Sequence, residues 1–316
     1  MNYQFHTAEE LLTLTKKYAM PIHEVVLRHE MDFSHMTEEQ VRERMKKRMG
    51  VMKDGILQMR EYPKISVSGM SGKATEKIDA FLRHHPHDAA VGETGLRAML
   101  YALATAENNA SMGCITAFPT AGSSGIIPGV LFAAQEKYMA SDDQLLNALF
   151  TASGIGLIIA ENATLSGAEG GCQAEVGSAT AMAAAAVSEM RGGSPEQCLH
   201  AAALALKNML GLTCDPVGGM VEVPCVKRSA LAAVYTLAAS DLAIAGIESF
   251  IPFDQVLEAM EHIGRLISPK LRETSLGGLA VTATARSVEE KLGITINGAN
   301  KEGPCGSCAA CIPNEV

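Results

Sequence analysis

Sustained alternation of apolar and polar residues, the mark of a half-buried strand, is nearly missing from this chain. In its place stand runs such as Ser178–Ser188 and Ala201–Leu210, built mostly from Ala and Leu with Met and Val. Ala and Leu carry the strongest helix propensities. The pattern therefore predicts a mostly helical fold, a compact bundle with few strands. Aromatic residues make up only 4% and Trp is absent, so Ala, Leu, Met, Val and Ile must do the packing. Such small side chains let helices approach closely.

Helix starts recur. Thr7-Ala8-Glu9-Glu10, Thr37-Glu38-Glu39-Gln40 and Ser141-Asp142-Asp143-Gln144 read as capping boxes. Ser194-Pro195-Glu196-Gln197 adds Pro at the first helical position, where its missing N–H costs nothing. That helix is expected to run to about Leu210 and stop at Gly211. Another is expected from about Pro252 to Ile263, stopping at Gly264. The chain to about Met59 is charged and amphipathic, and the remainder is richer in Ala and Gly. A boundary near Glu61–Lys77 is conceivable, but a single helical catalytic domain over 1–296 is preferred. The last stretch, 297–316, is broken by Gly, Pro and Asn and reads as an irregular Cys-containing tail.

The net charge of −9 argues against a nucleic-acid partner, which would want a basic face. Met1–Glu10 lacks a basic segment followed by an apolar run, so no secretory signal is read there. The most apolar stretch, Ser229–Ile247, is interrupted by Ser240 and Asp241, which favours a buried core helix over a membrane span. A cytoplasmic location is expected, with the eight Cys as reduced thiols or metal ligands rather than disulfides.

Glycine clusters at Gly69–Lys73, Ala121–Gly125, Gly167–Cys172, Gly218-Gly219 and Gly277-Gly278. Each could be an ordinary turn between helices. Five of them, three beside Cys, Ser or Lys, suggest a site built from loops that approach a ligand closely. A P-loop is rejected, because Val67 and Ala74 stand where that motif needs Gly and Ser or Thr. A pyridoxal-phosphate lyase, with Lys73 as Schiff base and the Ser123–Ser124 loop on phosphate, lacks the repeating strand–helix pattern usual for that class.

Cys305-x-x-Cys308-x-x-Cys311 has a spacing at which thiolates converge on a metal, and is otherwise a tail with reactive thiols. Cys172, Cys214 and Cys225 lack compact spacing, yet each adjoins Gly or Pro in a loop. Cys198 falls within an expected helix, and Cys114 is undecided. His84-His85-Pro86-His87 reads as a solvated loop rather than a metal site.

GSSGIIPG at Gly122–Gly129, SGAEGGCQAEVGSATAMAAAA at Ser166–Ala186, CDPVGGMVEVPCVKRSA at Cys214–Ala230 and RETSLGGLA at Arg272–Ala280 together resemble the iron–sulfur L-serine dehydratase alpha chain. Ser68–Lys73 is similar to that family's N-terminal Gly motif, except that Lys73 replaces a small residue. The resemblance implies a helical catalytic unit holding a [4Fe–4S] cluster on Cys172, Cys214 and Cys225. One of Cys305, Cys308 or Cys311 would approach it from the tail. Three protein ligands leave one iron open, as a catalytic zinc keeps a free position.

The implied reaction takes water from L-serine and yields pyruvate and ammonia. On this reading Ser123 and Ser124, with the backbone amides of Gly122 and Gly125, hold the substrate carboxylate, and Lys73 and Lys227 contact its charge. No His lies inside the matched motifs. The general base is therefore expected from a separate beta subunit, and the chain alone is expected to have little activity. Alternatives are the related iron–sulfur L-cysteine desulfidases, the pyridoxal-phosphate lyase, and a non-catalytic cluster-carrying subunit.

Overall fold

The first amides of a helix have no partner inside it, so a helix start needs a side chain to accept from them. All four sequence signals close in this way in the computed structural model, which describes residues 2–294 and 296. Thr7, Thr37, Ser141 and Ser194 accept from the backbone of Glu10, Gln40, Gln144 and Gln197, and those four side chains reach back. They open α1 (Ala8–Tyr18), α3 (Glu38–Glu61), α7 (Asp142–Asn162) and α10 (Pro195–Lys207). Between these lie α2 (Ile22–Ser34), α4 (Ala74–His84), α5 (Gly92–Ala110) and α6 (Ile126–Tyr138). They are followed by the one-turn α8 (Gly167–Gly170) and α9 (Ser178–Met190). Helices α11 (Cys225–Ile244), α12 (Phe253–Leu266) and α13 (Ala283–Leu292) complete the order. The chain is all-helical among the described residues, with two isolated bridges, Ile65 to Gly72 and Cys214 to Arg272. The tail cysteines and the stretch 297–316 lie outside the described residues.

Helix α9 is the buried axis. Its Ala181 and Ala183–Ala186 are fully buried, and α6, α7, α10 and α11 pack around it. The largest apolar cluster runs from Tyr3 to Met260 and draws on every helix from α1 to α12 except the α8 turn. Close packing is visible where α6 crosses α5: a Cβ on Gly129 would sit 2.8 Å from the Ala98 carbonyl oxygen. Any larger residue there would push the two helices apart.

Two expected helix ends differ. The Ser194-capped helix ends at Lys207 rather than about Leu210, its cap amide bonding to the Leu206 carbonyl. Gly264 does not stop α12, which continues to Leu266. A Cβ at Gly264 would lie 3.0 Å from Gly170 Cα, so this Gly lets α12 approach the α8 turn. The apolar stretch Ser229–Ile247 becomes most of α11, with Ala230, Ala232, Ala233, Ala239 and Ala243 buried. Among the described residues one helix, α7, is long and apolar enough to cross a membrane, and 61% of its apolar window is buried within the protein.

Helix α4 begins at Lys73, whose left-handed backbone supplies no side-chain cap. Glu107 of α5 serves instead. Its carboxylate accepts from the amides of Ala74 (2.8 Å) and Thr75 (3.0 Å) and from the Thr75 hydroxyl (2.6 Å). Glu107 and Thr75 are buried. Glu107→Ala is expected to destabilise the protein by about 2–4 kcal/mol, since it removes charge-assisted bonds and leaves buried donors unpaired. Urea unfolding checks this; an unchanged midpoint rejects the capping role.

Candidate active site

Three Gly- or Pro-broken segments meet beside the first turn of α11. The first is the α8 turn, which leads through Gly171 into Cys172 and a single π-helical turn, Gln173–Gly177, before α9. Such wide turns are frequent at functional sites. Buried Gln173 fixes this segment. Its amide and side-chain oxygen bond to the Leu212 carbonyl (3.0 Å) and the Gly211 amide (2.8 Å), and its side-chain amide donates to the Met260 carbonyl (2.8 Å).

The second segment carries Cys214, held by a parallel bridge. Its amide donates to the Leu271 carbonyl (2.9 Å), and its carbonyl accepts from the Glu273 amide (2.7 Å). The adjacent Asp215 is buried and accepts from the Leu279 amide at 2.8 Å. Gly278, at φ +61°, lies where any Cβ would collide with the Asp215 carboxylate. Only Gly combines that backbone with that approach. The RETSLGGLA stretch is thereby tied to Cys214.

The third segment ends in Pro224 and Cys225, the first residue of α11. Buried Glu222 accepts from Ser68 (2.9 Å) and Ser71 (2.8 Å). These bonds bring the Gly69–Lys73 cluster against this wall.

The loop before α6 closes the site. Thr120 donates to Glu175 Oε1 at 2.7 Å and shares a hydrogen bond with the Ser123 hydroxyl at 3.1 Å. A Cβ on Gly122 would lie 3.2 Å from Glu175 Oε1, and one on Gly167 would lie 2.8 Å from Glu175 Oε2 and 3.0 Å from Cys214 Sγ. Glu175 thus stands between the Ser123 loop and Cys214. One turn into α11, Arg228 donates to the Thr213 carbonyl (2.9 Å) and pairs with Asp215 (3.4 Å).

The electrostatics join these groups. The Cys214 thiol hydrogen-bonded to Cys172, with the Arg228 guanidinium nearby, lowers the Cys172 pKa against the effect of burial. Cys214 is correspondingly pushed up by the same bond and by burial. Cys225 is pushed up to about 12, chiefly by burial and then by the charge on Cys172 and Glu175. Burial, reinforced by the charge of Glu273, raises Glu175. Burial likewise raises Glu273, which is held at φ +63°.

The sequence candidates divide accordingly. Cys172, Cys214, Cys225, Ser123 and Gly122 are brought together. Ser124 is buried and donates its hydroxyl to the Ala121 carbonyl (2.7 Å). Gly125 lies where a Cβ would meet the Ala102 carbonyl, so it serves the contact between α6 and α5. Lys73 and Lys227 are exposed and make no hydrogen bond or ion pair through their side chains among the described residues. His84, His85 and His87 are exposed, Cys198 is buried in α10, and Cys114 is exposed. Sequence reasoning missed Glu175, Arg228 and Asp215. All three are charges set within otherwise apolar, Gly-bearing motifs, which is the signal that marks them.

Among the described residues no three His, Cys, Asp or Glu side chains are gathered as ligands of one metal ion. A cluster spreads its thiolates over several irons and does not need that tight grouping. The donor chemistry fits a cluster. Three thiols come from three firmly anchored segments, and one is already biased towards thiolate. The Nε of Arg272, at the bridge to Cys214, is buried without a partner.

The family profile described as serine dehydratase alpha chain matches residues 17–280. A Bacillus subtilis protein called "Probable L-serine dehydratase, alpha chain" is 46% identical over 288 residues, covering 91% of this chain and 95% of its own. The "L-serine dehydratase, alpha chain" of Peptoniphilus asaccharolyticus is 42% identical, covering 90% and 96%. A Streptomyces coelicolor "L-serine dehydratase" is 38% identical, covering 89% of this chain but 62% of its own length.

Proposed function

Because this chain belongs to the serine dehydratase alpha-chain family, we propose that it is the catalytic subunit of an L-serine dehydratase whose site is the meeting point of Cys172, Cys214 and Cys225. The observation that carries this reading is the convergence of those three thiols on Glu175, Arg228 and Ser123. Cys172, Cys214 and Cys225 would hold a [4Fe–4S] cluster. When bound it would supply a Lewis acid for the substrate's carboxylate and β-hydroxyl.

The remaining chemistry belongs to the chain's own residues. Ser123 and the backbone amides of Gly122 and Ser123, free of hydrogen bonds among the described residues, bind and orient the serine carboxylate at the start of α6. Arg228 keeps negative charge tolerable in a buried site. Glu175, its pKa raised by burial, holds a proton on Oε2 while Oε1 accepts from Thr120. It delivers that proton to the departing β-hydroxyl, so that water leaves rather than hydroxide. Loss of the α-proton and of water gives aminoacrylate, whose imine hydrolyses to pyruvate and ammonia. None of the nine His is hydrogen-bonded to these residues. The acceptor of the α-proton is therefore assigned to a beta subunit that docks on this chain. Against the pyridoxal alternative, the two candidate lysines, Lys73 and Lys227, are exposed.

The test is pyruvate release from L-serine by the anaerobically reconstituted full chain, with and without a serine dehydratase beta subunit. Activity that needs both cluster and partner supports the reading. Full activity without the partner removes the beta assignment. With a full cluster and the partner present, absence of pyruvate from serine but release of sulfide from L-cysteine replaces dehydratase by desulfidase.

A further inference from the structure

Away from the cysteines, a cavity of about 380 Å³ opens between α2, α3 and α7. That is within the size range of sites for small ligands, roughly 300–1,000 Å³. Its interior is apolar, with Val26, Val41, Met52, Phe150, Leu157 and Met182 among its walls.

Three charged side chains line the same cavity: Arg44 and Arg48, one turn apart on α3, and Glu30 on α2. None has a partner of opposite charge among the described residues. Arg44 reaches only the Met36 sulfur (3.2 Å), and Arg48 only the Arg44 carbonyl (3.2 Å). The Glu30 carboxylate makes no hydrogen bond or ion pair. On the same helices Arg28 pairs with Glu24, Arg42 with Glu38 and Lys53 with Asp142, while Glu39, Glu43, Lys46 and Lys47 are unpaired among the described residues but do not line this cavity. Two guanidinium groups and one carboxylate, without ion-pair partners and open to solvent at the rim of an apolar hole, suit a ligand of complementary charge. It carries a carboxylate, an ammonium and an apolar body.

The geometry points to a binding site for a free α-amino acid with a large apolar side chain. Arg44 and Arg48 take its carboxylate, Glu30 its ammonium, and the cavity its side chain. A carboxylate between two guanidinium groups is the stronger contact. The ammonium contact separates amino acids from simple fatty acids. This occupant differs from serine, whose hydroxymethyl group would leave the apolar interior unfilled. The cavity also shares a wall with the catalytic loop. Phe118 and Pro119 line it, Thr116 donates to the Arg48 carbonyl at 3.2 Å, and Thr120 is the next residue along the chain. A ligand there packs against the segment that carries Thr120 and Ser123, which gives the chain a means to read the supply of other amino acids.

The site is tested by titrating L-leucine, L-methionine and L-phenylalanine into the full chain by calorimetry. The controls are 4-methylpentanoate, which lacks the ammonium, and 3-methylbutylamine, which lacks the carboxylate. Saturable binding of at least one amino acid is expected, weakened about tenfold or more in either control, as loss of one charged contact implies. The same loss is expected in the double variant Arg44→Gln/Arg48→Gln, whose exposed side chains leave the core untouched. Ser153→Phe, which fills the cavity, is expected to abolish binding, with its melting temperature confirming a folded chain. No binding up to about 10 mM overturns the inference. So does binding that the arginine variant leaves unchanged, which would place the ligand elsewhere. The readout is binding alone, so it stands or falls separately from activity on serine.

Discussion

Cys172→Ser is expected to abolish the iron–sulfur cluster and to lower pyruvate formation by at least about a thousandfold. Changes to groups that merely orient a metal ligand cost about 10–100-fold, and removal of a ligand costs more. The fold is expected to survive, because the exchange alters one atom and the segment is held by Gln173 rather than by the thiol. Cys198→Ser is the control. Cys198 is equally buried, but it sits in α10 and makes no contact with the other cysteines. Iron and acid-labile sulfide content, measured anaerobically on both variants, decides the matter. A full cluster in Cys172→Ser would falsify the core site and favour ligands in the tail, with the chain as a non-catalytic carrier.

The second large effect is expected at Glu175. Glu175→Gln keeps an oxygen to accept from Thr120 and keeps the volume between Gly122 and Gly167. It loses only the ability to hold and release a proton. A drop in kcat of about 10²–10⁴ is expected, the usual range for loss of a general acid or base. KM and cluster content are expected to change little. Steady-state kinetics on the reconstituted variant with its partner check this. A kcat within a fewfold of the parent leaves Glu175 as a wall of the site and no more.

The fold was more legible than the site, for physical reasons that particular residues show. A capping box is local: four consecutive residues contain both halves of it, so Thr7, Thr37, Ser141 and Ser194 could be read without any tertiary knowledge. Gly264 is the converse. It has the chemistry of a terminator, but its role is set by Gly170, far away in sequence. The same contrast divides the lysines from Arg228. Lys227 and Arg228 are adjacent cations at the start of α11, and only helix rotation against the Thr213–Asp215 segment decides that Arg228 turns inward. Cys172, Cys214 and Cys225 were marked by their Gly and Pro neighbours and by family resemblance, not by spacing. Glu175 lay inside a quoted motif but became visible only once the Thr120 loop was seen to fold against it.

The bridge between Cys214 and Arg272 carries a consequence for the order of events during synthesis. Cys172 emerges about 100 residues before the strand-like partner that fixes Cys214. At a translation rate of about 5–20 residues per second, that interval is roughly 5–20 s. For that time the first thiol is made while the site that will enclose it does not yet exist. Iron and sulfide delivered early would meet an open chain, and delivered late, a closed pocket. The time at which residue 272 clears the ribosome therefore separates a nascent chain that can only scavenge metal from one that can build a defined cluster.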